Sequence, residues 1–196
     1  MESIFVYGAG GQGKVVVDTM RNARVLYGVK SVIDDNPALH GRDLLGHLIR
    51  GPEAIGDEKG FIAIGSNVSR RRIAARYKGR LVYIVHRSAI LVEGVPIGEG
   101  SVLMAASVVN VGSRIGANVI INTAATVDHD CVIEDGVHIA PGCHLCGNVT
   151  VGEGALLGVG TVVIPGVRIG RNAFIHAGQT VTRSVADEEL VRTPRV

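Results

Sequence analysis

The chain has 196 residues, 46% hydrophobic and 19% charged, with a net charge of +2, a balance that suits a packed core and excludes a disordered chain. Its longest charge-free apolar run, residues 154–167, carries glycines and Pro165 and is shorter than the roughly 18 residues a membrane helix needs. Aromatics are only 4% and Trp is absent, so base-stacking platforms are scarce, although residues 1–90 hold 14 Lys and Arg against 8 Asp and Glu.

The first stretch reads as strands alternating with helices, hence a parallel open sheet. Residues 3–7 form an apolar strand that starts almost at once, which leaves no space for a signal peptide. A glycine turn follows at Gly8-Ala9-Gly10-Gly11-Gln12-Gly13, then a helix over 14–21. Residues 30–33 form a second strand that ends at Asp34-Asp35, and 61–64 a third. Residues 69–77 read as a helix whose Arg70-Arg71-Arg72 forms a solvated face, and 81–85 as a fourth strand of the same sheet. The first domain is thus expected to span 1–86.

Gly8-x-Gly10-x-x-Gly13 lies between a strand and a helix, with two acids about twenty residues further on, which is the setting of a phosphate-binding turn. The glycines admit a diphosphate to the backbone and to the helix N-terminus, and an acid is placed for a ribose hydroxyl or a base. Only about half of a dinucleotide fold precedes the next segment, so a nucleotide or nucleotide-sugar is expected rather than NAD. Val15 stands where a Walker loop needs Ser or Thr, which excludes that reading.

From Leu91 to Val181 an aliphatic residue recurs at every sixth position, sixteen times without a change of phase. Four residues after those from Ile97 to Ile169 comes a second column, all small, running Ser101, Ser107, Ser113, Val119, Ala125, Cys131 and onward to Ala173. A period of six fits short strands that turn a corner every six residues, and three hexads close a triangular coil of eighteen. Residues 87–184 are therefore expected to form a parallel β-helix of about five coils, with 185–196 as a C-terminal tail. Cys131 and Cys143 fall in the small column as compact fillers. Cys143-x-x-Cys146 lacks the second ligand pair of a zinc site. Reduced thiols and the absent export signal predict a cytoplasmic protein.

His129, in Asp128-His129-Asp130, has acidic neighbours suited to a general base. Adjacent strand residues point to opposite faces, so Asp130 reaches His129 only at a corner or from another chain. His129 and His138 are half a coil apart, which places them on opposite sides of one prism and requires two subunits if they share a site. A zinc hydratase reading needs His-x-x-x-x-His, whereas His138 and His144 are six apart, so no metal is expected.

With these motifs the chain resembles the sialic-acid O-acetyltransferase and bacillosamine N-acetyltransferase family of hexapeptide-repeat sugar acyltransferases. The resemblance runs through residues 7–13, 33–35, 61–67 and 122–138. It implies a small Rossmann-like sheet followed by a left-handed β-helix, a homotrimer, and acetyl-CoA as co-substrate at sites between subunits. It makes His129 the general base and Asp130 the acid that raises its basicity. His138, Gly147, Val159 and Ala177 would contact acetyl-CoA, and Gly10, Gly11, Gln12, Asp34, Asp35 and Gly65 the nucleotide-sugar. Many members carry His where Gln12 stands, and the usual Gly-Val-Pro-Ala-Lys ending is reduced to Val191-Arg192-Thr193-Pro194-Arg195-Val196.

The expected activity is N-acetylation of a nucleotide-linked amino-sugar, with a UDP-4-amino-sugar as the first candidate acceptor for glycan biosynthesis. A sugar O-acetyltransferase and a non-catalytic nucleotide-binding scaffold are the alternatives. Only ten residues between Ile97 and Ser184 are ionised. A wall so poor in charge is expected to be covered, so three copies are expected around a threefold axis, with the nucleotide-binding domains splayed outward at the N-terminal end.

Overall fold

The computed structural model describes residues 1–192. The sequence expectation for 193–196 lies outside them.

The N-terminal unit is a five-stranded sheet in the order β3-β4-β2-β1-β5, built from β1 (Ser3–Tyr7), β2 (Gly28–Ile33), β3 (Asp43–Leu44), β4 (His47–Arg50) and β5 (Gly60–Ile62). All neighbours are parallel except the β3–β4 hairpin. That hairpin turns through Leu45 and Gly46 at φ 54° and 87°. Helix α1 (Gly11–Arg21) begins inside the glycine motif, three residues earlier than the sequence suggests, and its Val16, Val17 and Met20 bury against the sheet. Helix α2 (Asn67–Ala74) is capped by Ser66 and closes with one 3-10 turn, Ala75–Tyr77.

The expected fourth strand divides between the two units. Gly60 N–H donates to Arg80 O at 2.9 Å and Val82 N–H to Gly60 O at 3.0 Å, which extends the open sheet. Two residues later Ile84 N–H donates to Ser101 O and His86 N–H to Leu103 O, both at 2.9 Å. Ile84–Val85 is thus the first rung of the β-helix. No linker separates the units, because one strand pairs with both.

The repeat closes into three walls. The first stacks Val102–Leu103, Ile120–Ile121, His138–Ile139, Leu156–Leu157 and Phe174–Ile175; the second stacks Val108–Val109, Thr126–Val127, His144–Leu145, Val162–Val163 and Thr180–Val181. The third stacks Arg114–Ile115, Val132–Ile133, Thr150–Val151 and Arg168–Ile169. Partners lie eighteen residues apart, as Ile120 does from His138. Both columns point inward, and Val127, Ile139, Leu157, Ala125, Cys131 and Cys143 are wholly buried. Burial of this order in aliphatic side chains, about 1.5–3 kcal/mol for each, is what holds so narrow a prism together. The corners carry a third column in the left-handed region, including Ala106, Asn118, Ala124, Asp130, Asn148 and Asn172 among glycines. Residues 185–191, expected as tail, continue the prism: Val185 bridges Ile169, and Leu190–Val191 pairs with Phe174–Ile175.

The N-terminal unit lies along the flank of the prism rather than standing off its end. The outward side chains Val102 and Ile120 of the first wall are buried in one apolar cluster with Ile4, Val16 and Phe61. Helix α2 follows the edge between the third and first walls. Asn67 Nδ2 donates to Gly154 O at 2.9 Å, and Arg71 pairs with Glu153. A Cβ at Gly136 would strike the Arg71 side chain, which explains a glycine on that edge. Arg70, expected in solvent, is fully buried beneath α2; only Arg72 of the three is exposed. Three consecutive helical residues point three ways, and here both Arg70 and Arg71 meet the β-helix.

Candidate active site

The glycine motif divides by role. A Cβ at Gly13 would overlap the Gly8 carbonyl, and one at Gly8, φ 114°, would lie 2.6 Å from Ala63 O. These two glycines let α1 close onto β1 and β5. Gly10, Gly11 and Gly65 instead face open space, at the carboxyl ends of the parallel strands. No side chain caps α1, so its first N–H groups are available to an anion. The Gln12 amide nitrogen is buried there without a hydrogen-bond partner.

The two acids have separate tasks. Asp34 spends both oxygens on backbone N–H groups, of Ala9 at 2.8 Å and Asn36 at 2.9 Å, and so shapes the loop itself. Asp35 accepts the Tyr7 hydroxyl at 2.5 Å and is exposed. Burial, and then this bond to a carboxylate, push the Tyr7 phenol well above its ordinary pKa.

His129 stands on the edge between the second and third walls. Asp130, at φ 58°, turns the corner so that its Oδ2 meets His129 Nδ1 at 2.8 Å, within one chain. An aspartate pays little for the left-handed region compared with most residues, and here that conformation creates the pair. Asp128 Oδ1 accepts the His129 backbone N–H at 2.8 Å and Asn110 Nδ2 at 2.9 Å. The Asp130 hydrogen bond, reinforced by the charges of Asp128 and Asp130, raises the His129 pKa. An ionised carboxylate only accepts, so Nδ1 carries the proton and Nε2 presents its lone pair.

Gly147 sits one coil above His129, and a Cβ there would fall 2.5 Å from His129 Cε1 and closer still to Nε2. The Gly147 against this imidazole is therefore the chain's own. Val159 and Ala177 are exposed on the other edge of the second wall, one coil apart. Between the two edges a depression of about 290 Å³ is lined by Asn110, Thr126, Asp128, His144 and Cys146.

His138 lies elsewhere, on the first wall beneath the N-terminal unit. Its Nε2 meets Asn122 Nδ2 at 3.1 Å. Burial, then the Arg70 charge, push its pKa down to about 4, against a smaller opposing effect of the Gly65 backbone. It is neutral at physiological pH. One chain does not bring His129 and His138 together, because the first wall is opposite the edge that carries His129. Cys131 and Cys143 are buried with thiol pKa values raised by that burial, as fillers should be. Among the described residues no group of three or more His, Cys, Asp or Glu is placed to hold a metal, and no helix is long and apolar enough to cross a membrane.

Sequence reasoning missed Asn110 and its bond to Asp128, and it missed the role of Arg70. The Asn110–Asp128 pairing was readable in principle, since residues eighteen apart stack on adjacent coils. Arg70 carried no such signal.

Two family models match the chain: the PglD N-terminal domain over residues 3–77, and the bacterial transferase hexapeptide (six repeats) over 130–163 and 148–183. The acetyltransferase domain of PglB from Neisseria gonorrhoeae, solved in complex with acetyl coenzyme A, is 32% identical over 96% of this chain and 95% of that one, with a TM-score of 0.88. A point variant of perosamine N-acetyltransferase from Caulobacter crescentus, in complex with CoA and GDP-perosamine, is 34% identical over 97% and 93%, also with a TM-score of 0.88. A UDP-N-acetylbacillosamine N-acetyltransferase of Bacillus subtilis is 37% identical over 117 residues, 54% of this chain and about half of that relative (52%). With an N-terminal sheet and a left-handed β-helix matched end to end, the chain belongs to the bacillosamine N-acetyltransferase and sialic-acid O-acetyltransferase family of hexapeptide-repeat sugar acyltransferases.

Proposed function

We propose that the protein transfers the acetyl group of acetyl-CoA to the amino group of a nucleotide-linked amino-sugar. The observation that carries this reading is the His129–Asp130 pair, its Nε2 lying over a glycine that leaves the edge clear for a bound thioester. The relatives solved with CoA or acetyl-CoA agree with it.

His129 Nε2 takes the proton of the attacking amine as the carbon–nitrogen bond forms, and the carbon–sulfur bond then breaks to release CoA thiolate, which takes up a proton. Asp130 holds the imidazole in the tautomer that accepts, and stabilises the imidazolium once formed. The Gly147 backbone N–H serves the developing oxyanion. Gly147, Val159 and Ala177 frame the coenzyme, with His138 presenting a neutral imidazole to it. Gly10, Gly11, Gln12, Asp35 and Gly65 hold the nucleotide-sugar, whose diphosphate meets the α1 N-terminus. Asp34 supports that loop from behind.

A single chain separates the nucleotide loop from its own His129 by the width of the prism. The acceptor held by one subunit therefore meets His129 of the next, in a homotrimer with three shared clefts. This reading assigns the protein to the cytoplasm, in keeping with its three unpaired thiols.

The test is a panel of UDP-, GDP- and dTDP-linked amino-sugars with their hydroxy counterparts, read by mass spectrometry of the products. N-acetylation of at least one amino-sugar at a rate well above every hydroxy-sugar is expected. Transfer to hydroxyl acceptors alone would replace this reading with the O-acetyltransferase one.

A further inference from the structure

The geometry points to Arg70 as the positioning residue that fixes the nucleotide-binding loop to the β-helix, through a single buried guanidinium that hydrogen-bonds both. This rests on the proposed acetyl transfer only for its kinetic consequence; the mechanical statement stands by itself.

Arg70 is 0% exposed, and each acceptor around it is an uncharged oxygen. Toward the nucleotide loop, Nη1 donates to Ile64 O at 3.0 Å and Gly65 O at 3.1 Å. Toward the prism, Nε donates to Asn118 O at 2.9 Å, and Nη2 to Gly136 O at 2.9 Å and Val137 O at 3.4 Å. Asn67 Oδ1 accepts from Nη2 at 2.8 Å, while its Nδ2 donates to Gly154 O and Ala155 O one coil further on. Asn118, Gly136 and Gly154 are the same corner of three successive coils, so the clamp measures the spacing of the coils against the loop.

Nothing about solubility or helix formation calls for a buried cation here, and an apolar side chain would pack the same space at lower desolvation cost. Five donors in a rigid plane are what an ammonium cannot reproduce. Burial lowers the Arg70 pKa to about 10, which leaves it charged at neutral pH. The same charge helps to keep His138, the neighbour of Val137, neutral. Arg70 touches neither reactant in this arrangement. It acts through Gly65 on the acceptor side and through residues 136–138, where the N-terminal unit meets the first wall.

The experiment compares the wild type with Arg70→Lys and with Asn67→Ala, the latter at a half-buried position, which keeps the guanidinium but removes its one side-chain acceptor and the bonds to Gly154 and Ala155. Three quantities are read on the folded oligomer: calorimetric CoA affinity, kcat and KM for the nucleotide-linked acceptor across pH, and amide exchange of residues 64–67 and 136–138. The expected result is an unshifted ascending limb, kcat lowered about tenfold or more, a smaller loss of CoA affinity felt through His138 alone, and faster exchange in both segments together. Unchanged exchange in either segment, or kcat retained in both folded variants, would overturn the assignment. Should Arg70→Lys fail to fold, Asn67→Ala decides. If the wild type turns over no nucleotide-linked amino-sugar, the functional reading falls while the exchange result still judges the clamp.

Discussion

His129 and Gly147 occupy the same corner of two successive coils, and the imidazole covers the space that a side chain at position 147 would fill. The relationship follows from the eighteen-residue rise of the prism, which puts residue 147 directly over residue 129. It gives Gly147 a role that depends on the imidazole rather than on backbone freedom.

Gly147→Ala should therefore displace His129 without unfolding the coil, because the clash is with the free end of an exposed side chain. A displacement near 1 Å can cost roughly 100-fold in rate. Steady-state kinetics should show that loss in kcat, with a melting temperature within a few degrees of wild type. Full activity would mean the imidazole works in another rotamer.

The pH profile should report the His129–Asp130 bond. A base must be neutral to act, so kcat/KM should climb with pH and level off only above the raised His129 pKa. Asp130→Asn removes the principal cause of that rise. Its ascending limb should lie at lower pH, with a plateau reduced roughly tenfold or more because the base is weaker. The raised pKa also means that protonated His129 favours the fold below the ordinary value of 6.5, an effect lost as pH passes through the raised value.

Acid should weaken the fold through His138. Its folded pKa of about 4 lies below the ordinary 6.5, so in that interval the unfolded chain binds a proton that the folded one does not. Stability should fall as pH drops from about 6.5 toward 4, by on the order of 2–3 kcal/mol for this residue. Urea titrations at several pH values should show the slope, and His138→Gln should flatten it.

Light scattering should give three copies of the 20.5 kDa chain, about 62 kDa. A monomer that retains full activity would contradict both the trimer and the shared cleft, since one prism keeps its nucleotide loop and its His129 on opposite sides.

The β-helix was legible because its physics is local and repeated: an inward aliphatic residue sixteen times over, and an inward small residue thirteen times beside it. The phosphate turn was legible for the same reason, with Gly8 and Gly13 marking close approaches that no other residue allows. The Asp43–Arg50 hairpin was not, because the first residue of its turn, Leu45, takes the left-handed region where Asn or Gly would have signalled it, leaving Gly46 as the lone marker. Residues 81–85 carried the expected strand pattern, yet only pairing with Gly60 on one side and Ser101 on the other shows that they serve two sheets. Arg70 was hidden for a related reason. Its carbonyl partners on the β-helix, Asn118 and Gly136, are backbone atoms 48 and 66 positions away, which leave no trace in side-chain pattern.

The most direct measurement is turnover by His129→Ala with acetyl-CoA and the best nucleotide-linked amino-sugar, alongside CoA affinity and oligomeric state. Loss of a general base should lower kcat by on the order of 10²–10⁴-fold, while CoA affinity and assembly stay close to wild type. Turnover near the wild-type level in a folded, CoA-binding variant would contradict the account.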